Sequence, residues 1–171
     1  LTSAGAGAQP AFEASAKIGD AGQIYLTGDY LIDGTAAANL TANLTAYNNT
    51  AYGSALLSVS SGTITFARTG WYHLIYQVSA AAYSGAGRAM SAIIGKSTDS
   101  GSNWSSIAYS DGEGTDVSDK FNICVHLIAD ITNVSTEKFA MRYTTGVADK
   151  VVLYGTGQSV TSFTAIRIGD T

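Results

Sequence analysis

Charge is scarce in this chain. Asp, Glu, Lys and Arg make up 13% of its 171 residues, about half of the usual share of roughly 25%. The surface must be covered instead by Ser, Thr, Asn, Gly and Tyr, a composition more frequent among extracellular and virion proteins than among cytosolic enzymes. Nine Lys and Arg are scattered along the chain and the net charge is −4, which excludes the basic stripe that nucleic acid requires. Cys124 is the one cysteine, so no disulfide can form within the chain. It lies in the apolar run FNICVHL and is expected to be a buried thiol acting as a small hydrophobe. No apolar run reaches the length of a membrane span, and membrane insertion is not expected. Stability has to come from packing or from association of chains. Catalytic signatures are missing as well: there is no Gly-x-Ser-x-Gly elbow, His-Glu-x-x-His, P-loop or dinucleotide fingerprint. The carboxylates fall mostly in turn-like stretches, with no pair placed for glycoside chemistry. A non-enzymatic protein without a cofactor is expected.

Helical periodicity is the next absence. The nearest approach to it is TAAANLTANLTAY, residues 35–47, where Leu40 and Leu44 stand four apart. Its Asn and Thr content, and its place between strand-like runs, predict a long loop with at most one helical turn. Elsewhere β-branched and aromatic residues alternate with polar ones, punctuated by Gly and Asx. The runs are QIYLTGDYLI, ALLSVSSGTITFA, GWYHLIYQVSAA, RAMSAIIGKS, SSIAYS, KFNICVHLIADI, EKFAMRYTTG, DKVVLYG and SVTSFTAIRIG. Many short strands without crossover helices predict an all-β, antiparallel jelly-roll sandwich, and the length fits one domain with a full core.

Residues 64–80, ITFARTGWYHLIYQVSA, are the most informative. Ile64 and Phe66 alternate with Thr65 and Ala67, and Arg68-Thr69-Gly70 makes a turn. Beyond it, Tyr72, Leu74, Tyr76 and Val78 share one face; Trp71, His73, Ile75 and Gln77 share the other. A strand in a solvated sheet is apolar on one face only. Apolar bulk on both faces therefore predicts two covers, the chain's own core and a second copy of the chain.

The same segment resembles the central strand pair of the trimeric jelly-roll superfamily that includes tumour necrosis factors and the complement globular head. Phe66, Gly70, Tyr72, Tyr76 and Val78 supply its pattern of an aromatic strand, a Gly turn, Gly-x-Tyr and alternating aromatic and aliphatic residues. Other segments fit in order. Pro10-Ala11-Phe12-Glu13-Ala14 resembles the opening strand of complement-type heads, Arg88 to Lys96 the strand that follows the central pair, and Phe121 to Ile131 with Glu137 to Tyr143 the late hairpin. Ser162 to Ile168 resembles the closing strand, with Ala165 where Gly is usual, while Asn133-Val134-Ser135-Thr136 replaces the usual Gly-Asp turn. The resemblance implies a homotrimer, with Trp71, Ile75 and Phe163 as candidates for facing neighbouring subunits. A secreted recognition domain of the complement or cytokine type is one function it allows.

The opening LTSAGAGAQP, residues 1–10, is too small and flexible to hold a core. It resembles the Gly/Ala/Ser connectors that join stalks to distal domains in bacteriophage fibre and appendage proteins. The expected organisation is a linker over 1–10, from an upstream stalk or anchor, and a jelly-roll head over 11–171. In that setting the chain would be a virion component: tail fibre, head fibre or capsid decoration. Its partners would be other virion proteins and a glycan or protein on the host surface. Assembly in a reducing cytoplasm agrees with the absence of disulfides.

Candidate sites each have a plain structural alternative. Asp111-Gly-Glu113-Gly-Thr-Asp116 places oxygen ligands where calcium could use them, but departs from EF-hand spacing, and a solvated turn accounts for the same residues. Trp104, after the turn at 99–103, could stack a sugar or cap the sandwich edge. With Tyr47 and Tyr52 in the long loop, and Tyr109, it makes up the candidate set for contact with a ligand or host. His73 and His126 sit in strand-like runs and are expected to be structural. Asn39, Asn43, Asn48, Asn103 and Asn133 head glycosylation sequons, which an Asn/Thr-rich composition also produces unselected.

Overall fold

The computed structural model describes residues 20–33, 36–48, 55–84, 89–116, 118–146, 150–155 and 160–171. The connector 1–10 and the expected opening strand at 10–14 lie outside the described residues. Every regular element among the described residues is a β-strand. In chain order these are β1 (Ala21–Leu26), β2 (Tyr30–Asp33), β3 (Ala38–Asn39), β4 (Leu44–Asn48), β5 (Leu57–Ser60), β6 (Thr63–Phe66) and β7 (Gly70–Ser84). They continue with β8 (Ala89–Ser97), β9 (Ser105–Glu113), β10 (Lys120–Ile131), β11 (Lys138–Thr145), β12 (Lys150–Leu153) and β13 (Ser162–Gly169). No helix among the described residues is long and apolar enough to cross a membrane.

The strands form two antiparallel sheets. One has seven strands and runs β4-β1-β13-β7, with β10 on the opposite flank of β7 and β12 and β2 continuing beside its far end. The other has six and runs β5-β6-β11-β8-β9, with β3 joined to β11. At one edge of the sandwich β4 lies beside β5; at the other, β9 lies beside β10.

The core follows from period-2 alternation. Tyr72, Leu74, Tyr76 and Val78 of β7 are all wholly buried. They meet Ile64, Phe66, Ile94 and Phe139 of the second sheet in one cluster. Phe66 sits at its centre, edge-on to Tyr72 at 4.8 Å and to Phe139 at 5.2 Å between ring centroids, the geometry aromatic quadrupoles favour.

Turns fix the register. Ser61 and Gly62 join β5 to β6 with φ of 47° and 78°, the two positive angles of a twist-matched two-residue hairpin. A Cβ at Gly62 would run into the carbonyl oxygen of Leu40, so this position requires glycine for space as well as for φ. Gly70 opens β7 at φ 141°. There Arg167, buried on β13, donates from Nε and Nη2 to the Thr69 carbonyl at 3.2 and 3.1 Å and pairs with Asp170.

Residues 36–47 depart from the loop expected over 35–47. They include β3 and β4, with Leu40 wholly buried between them and Leu44 opposite Leu26. The spacing of four that suggests a helical turn is instead one plug residue and the first residue of a strand.

Candidate functional site

The seven-stranded sheet has an outer face, and alternation decides what stands on it. Trp71 is 42% exposed and Ile75 half-buried, while their neighbours Tyr72, Leu74 and Tyr76 are wholly enclosed. On β10, Ile128 is 54% exposed between buried Ala129 and half-buried Leu127. On β13, Ile166 is half-buried and Ile168 is 41% exposed. Register joins these residues: Ile75 lies between His126 of β10 and Thr164 of β13, and His73 between Ile128 and Ile166. An apolar band therefore crosses three adjacent strands. Toward β4 it meets a depression of about 190 Å³ lined by Ala21, Gln23, Tyr47 and Thr164.

Two expectations fail here. Phe163, expected to face a neighbouring subunit, is wholly buried in the chain's own core opposite Tyr76. Its place on β13 is one residue out of phase with Thr164 and Ile166, which do face outward. Cys124, expected to be buried, is exposed. Ile123 and Val125 on either side take the inward positions, at 3% exposure each. Trp71 and Ile75 stand on the outer face, opposite the core-facing set, as their alternation predicts.

The candidate contact residues do not form one patch. Tyr47, 66% exposed, stands on β4 at one edge of the sandwich; Tyr109, 69% exposed, stands on β9 at the other. Tyr52 lies outside the described residues. Trp104 is half-buried, and its ring lies over Gly95 and Gly101, where added Cβ atoms would be 3.5 and 3.7 Å from it. It thus packs the 99–103 turn onto the sheet, beside a cavity of about 260 Å³ lined by Lys96, Thr98, Asp99, Asn103, Ser105 and Ile107. Asp99 organises that turn. Its carboxylate accepts from Ser97 Oγ at 2.6 Å, from the Asn103 amide N–H at 2.9 Å and from Asn103 Nδ2 at 2.6 Å. The Ser97 hydroxyl foremost, then the two Asn103 donors, hold its pKa down at about 2.

The acidic segment is not a single loop. Asp111 and Glu113 belong to β9, and Asp111 accepts from Ser91 Oγ across the strand pair. Asp116 lies in the turn beyond, where its N–H and Thr115 Oγ1 both donate to Asp119 Oδ2 at 2.7 Å. A carboxylate within the turn thus closes it. Among the described residues no three Asp, Glu, His or Cys side chains are placed to hold one metal ion.

The sequence matches no protein-family model and no curated protein. Solved structures do match the fold. The Eiger tumour necrosis factor from S. frugiperda superposes with a TM-score of 0.61 at 12% identity, covering 91% of this chain and 96% of that one. Murine APRIL, crystallised at pH 8.5, gives a TM-score of 0.59 at 8% identity over 87% of this chain and 99% of its own. Its structure at pH 5.0 gives 0.58 at 7% identity over 86% and 98%. With its antiparallel sheets and these neighbours, the chain has an all-β jelly-roll fold like that of the tumour necrosis factors.

Proposed function

We propose that this chain is a non-enzymatic interaction module that works as a homotrimer, packed through the outer face of its seven-stranded sheet. The supporting observation is the apolar band of Trp71, Ile75, Ile128, Ile166 and Ile168 on that face. Exposed large apolar side chains gathered on one sheet face mark an association site, and closed symmetry is the usual way for identical chains to cover it. We assign the trimer to a virion as the head of a fibre or capsid decoration, its distal surface engaging the host. The low charge and the single thiol support that assignment.

A secreted recognition domain of the cytokine type is the second reading, favoured by the likeness to Eiger and APRIL. The sequons separate the two. Asn48 Oδ1 accepts from the N–H groups of Leu56 and Leu57 at 2.9 and 2.7 Å, and its Nδ2 donates to the Leu57 carbonyl at 2.9 Å. Asn39 Oδ1 accepts from Arg142 Nε at 2.9 Å. The Asn48 Nδ2 that a glycan would need is committed to the fold, which supports composition rather than glycosylation as the source of that motif. Intact-mass measurement on protein from its native source tests the choice: an unmodified mass supports the virion head, and added glycan overturns it. A host-glycan array, with Trp104→Ala and Tyr109→Ala as controls, tests contact through the 99–109 region.

A further inference from the structure

The outer face also carries a row of three side chains that the apolar band does not explain. Cys124 and His126 are two residues apart on β10, so the pleat sends both outward. His73 on β7 stands opposite Ile128, which makes it a diagonal neighbour of His126. The two imidazoles lie end to end, with centroids 5.3 Å apart and planes inclined by 27°. His126 Nδ1 lies 3.1 Å from His73 Nε2, and on the other side of the ring His126 Nε2 lies 3.1 Å from Cys124 Sγ. The thiol is exposed, so the row opens to solvent in the single chain.

The order of the row determines its chemistry. His126 uses its two nitrogens in different directions, so the three side chains do not converge on one point. A proton on Nδ1, donated to His73 Nε2, leaves the Nε2 lone pair aimed at the sulfur. Ligating imidazoles are commonly held this way, with the far nitrogen fixed by a hydrogen bond. We propose that Cys124 Sγ and His126 Nε2 chelate a borderline-soft divalent transition-metal ion of the zinc type, with His73 as the positioning residue that sets the tautomer of His126. With metal–sulfur and metal–nitrogen distances of about 2.3 and 2.0–2.1 Å, a tetrahedral ion wants the two ligand atoms about 3.5 Å apart. The observed 3.1 Å reaches that by a few tenths of an ångström of rotation at the two side chains. The cation takes the place of the thiol proton. The S–H bond breaks, sulfur–metal and nitrogen–metal bonds form, one proton goes to solvent, and no electron is transferred. Water fills the two remaining positions in a single chain. Calcium and magnesium, which prefer oxygen, are excluded by the donor set.

The test uses the whole protein, metal-free and with its thiol reduced. Cobalt(II) is the spectroscopic probe and zinc(II) the competitor. One cobalt per chain is expected, in whichever oligomer the wild type forms. It should show a sulfur-to-cobalt charge-transfer band, displaced by zinc, and one proton released per ion bound. Cys124 is the only cysteine, so the band reports that residue alone. Cys124→Ser should abolish the band, and His126→Gln should abolish tight binding. His73→Ala should keep the band and weaken affinity about 10–100-fold, the usual effect of losing a partner that orients a ligand. All three side chains stand on the outer face, so each variant should keep the wild-type circular dichroism. No band in the wild type, or a band with unchanged affinity in His126→Gln, overturns the chelate. Unchanged affinity in His73→Ala overturns the positioning role.

Discussion

Replacing Ile75 by lysine isolates the outer face from the core. Ile75 is half-buried in the single chain, flanked by His126 and Thr164 and pointing away from the core. A lysine stem can lie along the sheet with its ammonium in water, so the isolated chain should fold normally. Lysine is preferred to aspartate because the ring of His126, opposite position 75, could hydrogen-bond a carboxylate across the strands. In a trimer packed through this face the same ammonium would be enclosed. Full burial of an isoleucine is worth about 1.5–3 kcal/mol, so losing the half that association covers costs about 1 kcal/mol. Enclosing the charge adds an effective penalty of several kcal/mol. A floor of about 3 kcal/mol per subunit gives about 9 kcal/mol for three, roughly six orders of magnitude in the association constant. Sedimentation equilibrium at micromolar concentration should show a three-chain wild type and a single-chain Ile75→Lys variant with the same circular dichroism. A variant that remains trimeric with an unchanged melting temperature would refute this face as the interface; a monomeric wild type would refute the trimer itself.

Three further outcomes are expected. Phe139→Ala removes a wholly buried ring edge-on to Phe66 and should cost about 3–5 kcal/mol in urea unfolding with an unchanged slope; a loss below about 1 kcal/mol would mean that the core closes around the gap. Asn48→Ala leaves the N–H groups of Leu56 and Leu57 without their side-chain acceptor and should cost about 2–3 kcal/mol in the same assay. Asp99 has a depressed pKa, so its contribution to the 99–103 turn is full above its ordinary value of 3.8 and is lost as pH falls through about 2. Its carboxyl resonance should titrate near 2, with faster exchange of the Asn103 amide protons below that pH, and a midpoint near 4 would contradict the hydrogen bonding described.

The two-layer β architecture and the long central strands were legible because alternation over Trp71–Val78 and Phe121–Ile131 is strict and each run is bounded by turn residues. Face assignment was legible where polar residues interrupt one face, as His73 and Gln77 do on β7. On β7 the inward set is Tyr72, Leu74, Tyr76 and Val78, and it was assigned correctly. On β13 both faces carry hydrophobes, so the phase is ambiguous by one residue and Phe163 fell on the wrong side; on β10 Cys124 shares the phase of Asn122, His126 and Asp130, and its exposure was readable from that alternation. Residues 35–47 misled for a different reason: Leu40 and Leu44 share a helical spacing, but Leu40 is held by the close approach of Gly62, which is remote in sequence. The row of Cys124, His126 and His73 was invisible as a row. The Cys-x-His spacing places two members on one face of a strand, but the third depends on the register between β7 and β10, which no local pattern encodes.

The position of β13 governs the order of events during synthesis. It lies between β1 and β7, so the first and seventh strands cannot join until residues 162–169 have emerged from the ribosome. At about 5–20 residues per second, β7 waits several seconds after its own synthesis with a flank unpaired. Its aromatic side chains and open edge are then exposed to other nascent chains carrying the same segment. Pairing across such a long stretch of sequence is intrinsically slow, so the yield of folded protein should fall as expression rate rises, and slowing translation at low temperature should restore it.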